Sequence, residues 1–287
     1  MANDPMILVL DEGTTSTRAM LFGLDGAVKA VAQQELTQHY PAPGLVEHDA
    51  AEIWQRTLGV AREVVRAAGG PDRIACIGIT NQRETVVAWD RSTGEPLARA
   101  LVWQDRRTAD VCDRLRRLGF ESDVQAKTGL LLDPYFSATK AGWLMANQPE
   151  VQAAASSGRL ALGTVESWLA FKLTGGLHVT DASNASRTQL LPLDTPQWDQ
   201  GLCDLFAVPR GALGEVVDSA GAFGTTRAEW FGAPIPLTGP ALDKWHQFAP
   251  AAQPADLQTL AAWCAAMAAG RRRPSRRRAS ARRPPAL

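Results

Sequence analysis

No apolar run in the 287-residue chain approaches the roughly 20 residues that crossing a bilayer requires. Residues 1–6 carry no basic region and no cleavable apolar segment, so no membrane association is expected and the chain reads as cytoplasmic. The four cysteines (Cys76, Cys112, Cys203 and Cys264) form no Cys-x-x-Cys pair and have no histidine cluster beside them. That spacing excludes the common metal sites and points to reduced, structural thiols. Histidine is equally scarce, at four residues, and net charge is absent. The zero conceals a split, because residues 271–287 contain eight arginines and no acid, leaving −8 on the first 270. What remains is an ordinary globular composition, 45% apolar and 21% charged with nine tryptophans, enough material for a sizeable core.

The chain opens with an apolar run over 6–10, suited to a buried strand, followed by the polar turn Asp11-Glu12-Gly13-Thr14-Thr15-Ser16-Thr17. A second strand is predicted over 18–22. The Asp25-Gly26 turn then returns the chain as a third strand over 28–33, giving an antiparallel meander. Helical spacing over 50–68 places Ile53, Trp54, Leu58, Ala61, Val64 and Val65 on one face, and Gly69-Gly70-Pro71 ends it. The run over 74–79 reads as a buried strand that pairs with the meander. A strand over 86–90 enters the Ser92-Thr93-Gly94 turn, and further helices are predicted over 106–118 and 139–148. From Asp243 the pattern degrades. One Ala-rich helix fits 254–269, and the Arg/Pro/Ala/Ser run after it is too polar to order itself.

Four stretches carry candidate chemistry. In the first turn, backbone N–H groups and hydroxyls suit an anion, Asp11 suits a Mg²⁺ shell and Arg18 a phosphate, although such a turn is also simply a turn. Asn81-Gln82-Arg83-Glu84-Thr85 follows a strand and pairs a cation with an acid. That mixture suits hydroxyls, which both give and take hydrogen bonds, or else makes a surface ion pair. Trp103 and Tyr135 suit the carbon skeleton and a hydroxyl of a polyol, or equally fill a core. His48, close to a helix start, reads as a cap or packed residue.

Taken together, LDEGTTSTR (10–18), YPAPGLVEHD (40–49), GITNQRET (78–85), VWQDRRT (102–108), TGLLLDPYFSATK (128–140), GTVESWL (163–169) and HVTDASNASRT (178–188) resemble the FGGY carbohydrate kinases, and within them the glycerol kinases. The resemblance runs over residues 6 to about 239, in the family's order and spacing. NQRET and DPYFSATK separate glycerol kinases from xylulokinase-like relatives. It implies an α/β domain of ribonuclease-H-like (actin/hexokinase) type, a mixed sheet flanked by helices, and transfer of the ATP γ-phosphate to glycerol with Mg²⁺. Carried over, Asp11 lies near Mg²⁺, Thr14, Thr15, Ser16 and Arg18 contact nucleotide phosphates, Arg83, Glu84 and Tyr135 bind glycerol hydroxyls, and Trp103 lines the carbon skeleton. Glu12 stands where the family has Gln and is expected to add a negative charge beside the turn.

The resemblance fades after Leu237-Thr238-Gly239. Asp243 falls by count at the family's catalytic base, but Leu242 and Lys244 replace the expected Gly and Gln. The expected division is a substrate-binding domain over 1–239 and a tail over 240–287 outside the family pattern, with the second, ATP-binding domain absent. The change of composition there is what a frameshift in GC-rich coding sequence produces. Two other readings stay open, a catalytically dead remnant that at most binds glycerol and a kinase for another polyol. A nucleic-acid-binding role for the arginines is not expected, since no aromatics interleave them. Self-association is expected if the partner domain's surface is uncovered, and sugar-bisphosphate regulation is not, given Arg227 to Gly232.

Overall fold

The computed structural model describes residues 5–239. The expectations for Asp243, the helix over 254–269, the Arg-rich run and the tail from 240 all lie outside the described residues.

Three antiparallel strands open the chain, β1 (Met6–Glu12), β2 (Ser16–Gly23) and β3 (Val28–Glu35). The short strand β4 (Glu47–His48) leads into α1 (Ala50–Ala67), whose N-terminus is capped by Asp49 accepting from the Ala51 and Glu52 amides. β5 (Ile74–Asn81) then runs parallel to β1 on its free side, with Asp11 opposite Thr80 and Glu12 opposite Asn81. The C-terminal ends of β1 and β5 therefore lie side by side, and the loops leaving them share one edge.

The chain next makes β6 (Val87–Asp90), β7 (Ala100–Leu101), α2 (Ala109–Arg117), α3 (Glu121–Thr128), α4 (Ser137–Asn147) and α5 (Pro149–Ser156). It continues through β8 (Leu160–Gly163), α6 (Val165–Thr174), β9 (Val179–Asp181), α7 (Ala182–Ala185), α8 (Gln200–Leu205), β10 (Glu215–Val217), α9 (Ala228–Phe231) and β11 (Leu237–Gly239). β11 pairs parallel with β5 and completes a mixed sheet of order β11-β5-β1-β2-β3. β6 pairs with β8, β4 with β7, and β9 with β10 in separate small sheets.

The main core packs Leu8, Leu10, Leu21, Ile77 and Ile79 of the sheet against Ile53, Val60 and Val64 of α1 and Trp168 and Leu169 of α6. A second core gathers Val86, Leu101, Leu115, Val124, Leu144 and Leu160 under α2 to α5. Cys76, Cys112 and Cys203 are buried and in no disulfide, and burial pushes the thiols of Cys112 and Cys203 up to about 11. Among the described residues no helix is long and apolar enough to cross a membrane.

The mixed sheet flanked by helices is the predicted fold. Three local readings differ. The first loop is only Gly13-Thr14-Thr15, because Ser16 and Thr17 already belong to β2. The strand expected over 86–90 is present as β6, but the short β7 follows it without having been expected, and both pair outside the main sheet. α2 starts at Ala109 rather than 106, because Asp105 turns its carboxylate back onto the Arg107 amide and accepts the Val46 amide as well.

Candidate functional site

The loop leaving β5 is fixed from three directions. The Gln82 amide donates to the Glu12 carbonyl at 2.6 Å, tying the loop to the end of β1. Asn81 donates to the buried Glu166 carboxylate, which also accepts from Thr164 and Thr180, so α6 and β9 hold the same strand end. Burial raises the Glu166 carboxyl to about 7 against those hydroxyl bonds. Ser137, at the start of α4, donates to the Glu84 carbonyl at 3.0 Å.

Glu84 sits at φ +64, a backbone region that a non-glycine residue occupies at a cost and that recurs at functional sites. Only 2% of it is exposed, which removes the surface-ion-pair reading. Its carboxylate accepts from Arg187 Nε at 2.6 Å. The Arg187 guanidinium also lies over the rings of Phe136 and Tyr135, at 4.9 and 5.7 Å from their centroids. The Tyr135 phenol is pushed up by burial and by the Glu84 carboxylate, while Arg187 and Arg83 pull it the other way. Glu84, Arg187 and the rings of Tyr135 and Phe136 thus form one contact cluster.

Trp103 links this cluster to the first turn. Its indole Nε1 donates to Thr14 Oγ1 at 2.9 Å, and its ring meets Tyr135 edge-on at 5.5 Å. A residue expected at the nucleotide turn and one expected at the polyol are therefore in direct contact. Beneath Tyr135, the fully buried Lys140 donates to the carbonyls of Pro134, Tyr135 and Phe136 at 2.6, 2.8 and 3.0 Å. Burial lowers its ammonium to about 7, although Asp105 and Glu84 favour the charge.

At the first turn Asp11 and Arg18 face each other across β1 and β2, 3.8 Å apart. Thr15 is exposed, whereas Ser16 is buried and its hydroxyl accepts from the Gln33 amide. The Gly13 amide closes the hairpin by donating to the Ser16 carbonyl, and so is not directed at an anion. The expected extra charge of Glu12 is corrected. Its side chain turns under the sheet, accepts from Thr57 at 2.7 Å, and is fully buried, which lifts the carboxyl to about 8. At neutral pH it is a protonated acid of much the same shape and polarity as Gln.

His48 is a packed residue rather than a helix cap, and it joins the two loops. It bonds Gln38 through Nε2 and Gln82 through Nδ1, while those glutamines donate to the Thr14 and Gly13 carbonyls. Burial holds its imidazole down at about 4, so it is neutral in this relay. Arg187, Lys140 and His48 had no assigned function from the sequence. The ionisable residues of the motif strings, read for buried partners, were the available signal.

Three comparisons bear on this site. Residues 6–247 match the family model of the FGGY family of carbohydrate kinases, N-terminal domain. Glycerol kinases from Dechloromonas aromatica (strain RCB) and Trichlorobacter lovleyi are 54% and 55% identical to the chain over 244 and 240 residues. Those matches cover 84% and 83% of this chain but 49% and 48% of the relatives, so the chain spans about half the length of the curated relatives it matches. A crystal structure of Plasmodium falciparum glycerol kinase with ADP superposes with a TM-score of 0.78 at 35% identity, covering 82% of this chain and 48% of that one. A xylulose kinase structure from Rhodospirillum rubrum follows at 0.73 and 27% identity, with the same coverage of both chains.

Proposed function

The chain belongs to the FGGY family of carbohydrate kinases, and we propose that its described residues form the polyol-binding half of a glycerol kinase. The observation that carries this reading is the linked cluster in which the buried Glu84 carboxylate accepts from Arg187, the Arg187 guanidinium lies over Tyr135, and the Tyr135 ring meets that of Trp103. A carboxylate accepts from a hydroxyl, a guanidinium donates to one, and aromatic faces cover the carbons between them. Identity above 50% to glycerol kinases favours glycerol over xylulose, whose kinase matches at 27%.

On this reading Arg83, Glu84 and Tyr135 hold glycerol hydroxyls and Trp103 covers the carbon skeleton. Thr14, Thr15 and Arg18 address the phosphates of ATP, and Ser16 joins them once its bond to Gln33 opens. A Mg²⁺ ion held mainly by nucleotide phosphates and water asks one or two carboxylates of the protein, and Asp11 at the end of β1 fits that need. No cluster of three or more acidic, His or Cys groups among the described residues forms a metal site by itself. When bound, the ion neutralises charge on the transferring phosphoryl group. Asp243, within the span matched to the family, is the proposed base that takes the proton of the attacking hydroxyl to give sn-glycerol 3-phosphate.

A coupled assay of ADP release with Mg-ATP and a polyol panel tests the reading. Turnover with glycerol that Asp243→Asn abolishes supports both the substrate and the base. Turnover preferring another polyol overturns the choice of glycerol. Glycerol binding without turnover favours the second reading, a binding remnant.

A further inference from the structure

We propose that Arg187 is a positioning residue for the polyol, fixing the Glu84 carboxylate and the Tyr135 phenol in one binding geometry. The inference rests on the polyol-site reading above and extends it to a residue 103 positions away from Glu84.

Glu84 cannot arrange itself. Its backbone is held at φ +64 by the bond from Ser137, and its side chain is almost wholly excluded from water. A buried carboxylate without a partner either takes up a proton or swings toward solvent. Either change destroys the acceptor that a polyol hydroxyl needs. The 2.6 Å bond from Arg187 Nε is charge-assisted and fixes one carboxylate oxygen. The same planar guanidinium lies against Tyr135 and Phe136, so its position also sets where the phenol lies.

The arginine is itself held. Asp181 caps α7, the Arg187 amide donates to the Asn184 carbonyl, and the next residue's carbonyl accepts from Ala138 in α4. With 28% of its side chain exposed, Arg187 lies at the border between the buried Glu84 and solvent rather than filling the core. A purely structural link between α7 and α4 would already be supplied by the Ala138–Thr188 backbone bond.

The test compares the full chain with Arg187→Met and Arg187→Lys by calorimetric titration with glycerol, thermal unfolding and tyrosine titration. The chain has two tyrosines, and Tyr40 is 67% exposed, so a Tyr40→Phe background leaves Tyr135 as the sole phenol. Arg187→Met is expected to weaken glycerol binding about ten-fold or more, in keeping with loss of a charge-assisted bond, and to raise the Tyr135 titration midpoint. Arg187→Lys is expected to recover part of both, since it keeps the charge and loses the fork. Unaltered glycerol affinity in Arg187→Met, or an unmoved Tyr135 midpoint, overturns the inference. If Arg187→Met does not fold, the Lys variant decides by the same two readings. Absence of glycerol binding by the folded wild-type chain overturns the polyol-site reading instead, and the tyrosine midpoint alone then decides whether Arg187 sets the phenol.

Discussion

Glu12 shows how burial rewrites the charge a sequence suggests. The folded chain keeps its proton up to about pH 8, whereas an exposed glutamate releases it near 4.5. Between those values the unfolded state binds fewer protons, so this residue makes stability fall as pH rises. Glu166 acts in the same direction up to about 7, and His48 acts oppositely between about 4 and 6.5. Glu12→Gln removes only the first contribution. It is expected to match the wild type near pH 4.5 and to exceed it by a few kcal/mol at pH 8, gaining at most about 1.4 kcal/mol for each step of one in pH between them. Urea unfolding at several pH values checks this, and identical pH profiles for the two proteins would refute it. Arg83, Glu84, Trp103 and Tyr135 could be singled out as candidates because each sits in a distinctive short string. Arg187 was not, because its partner is 103 residues away and only the fold brings the two together.

Among the elements, α1 was the most legible, since its apolar stripe, the Asp49 cap and the Gly69-Gly70-Pro71 stop all agree. The start of α2 was not, because the competing turn at Asp105 depends on the distant Val46 amide as well as on Arg107. α4 is the helix that braces the candidate site. Its Ser137 fixes the Glu84 backbone, and its Lys140 gathers three carbonyls of the segment that bears Tyr135. Lys140→Met leaves those carbonyls without their donor, and a loss of about 2–4 kcal/mol in unfolding free energy is expected. Glycerol affinity should fall with it, because Tyr135 loses its support. A variant as stable as the wild type by urea unfolding would show that water or rearrangement replaces the ammonium at no cost.

Over the whole molecule, the meander, the crossover through α1 and the parallel return at β5 place the ends of β1 and β5 together, and the candidate site is built on that edge. The meander and the strand that joins it were readable from apolar runs, whereas the mixed sheet as a whole came from the resemblance to a known family. The pairing of β6 with β8, across some 70 residues, has no local signal in either strand. Binding of the polyol is the property that the proposed function assigns to the described residues. Calorimetric titration of the folded 287-residue chain with glycerol, beside Glu84→Gln, is the direct measurement. The predicted result is saturable one-to-one binding that weakens about ten-fold or more in Glu84→Gln, whose thermal unfolding stays cooperative. Absence of saturable binding by the folded wild type, or binding undiminished in Glu84→Gln, would contradict the assignment of this site.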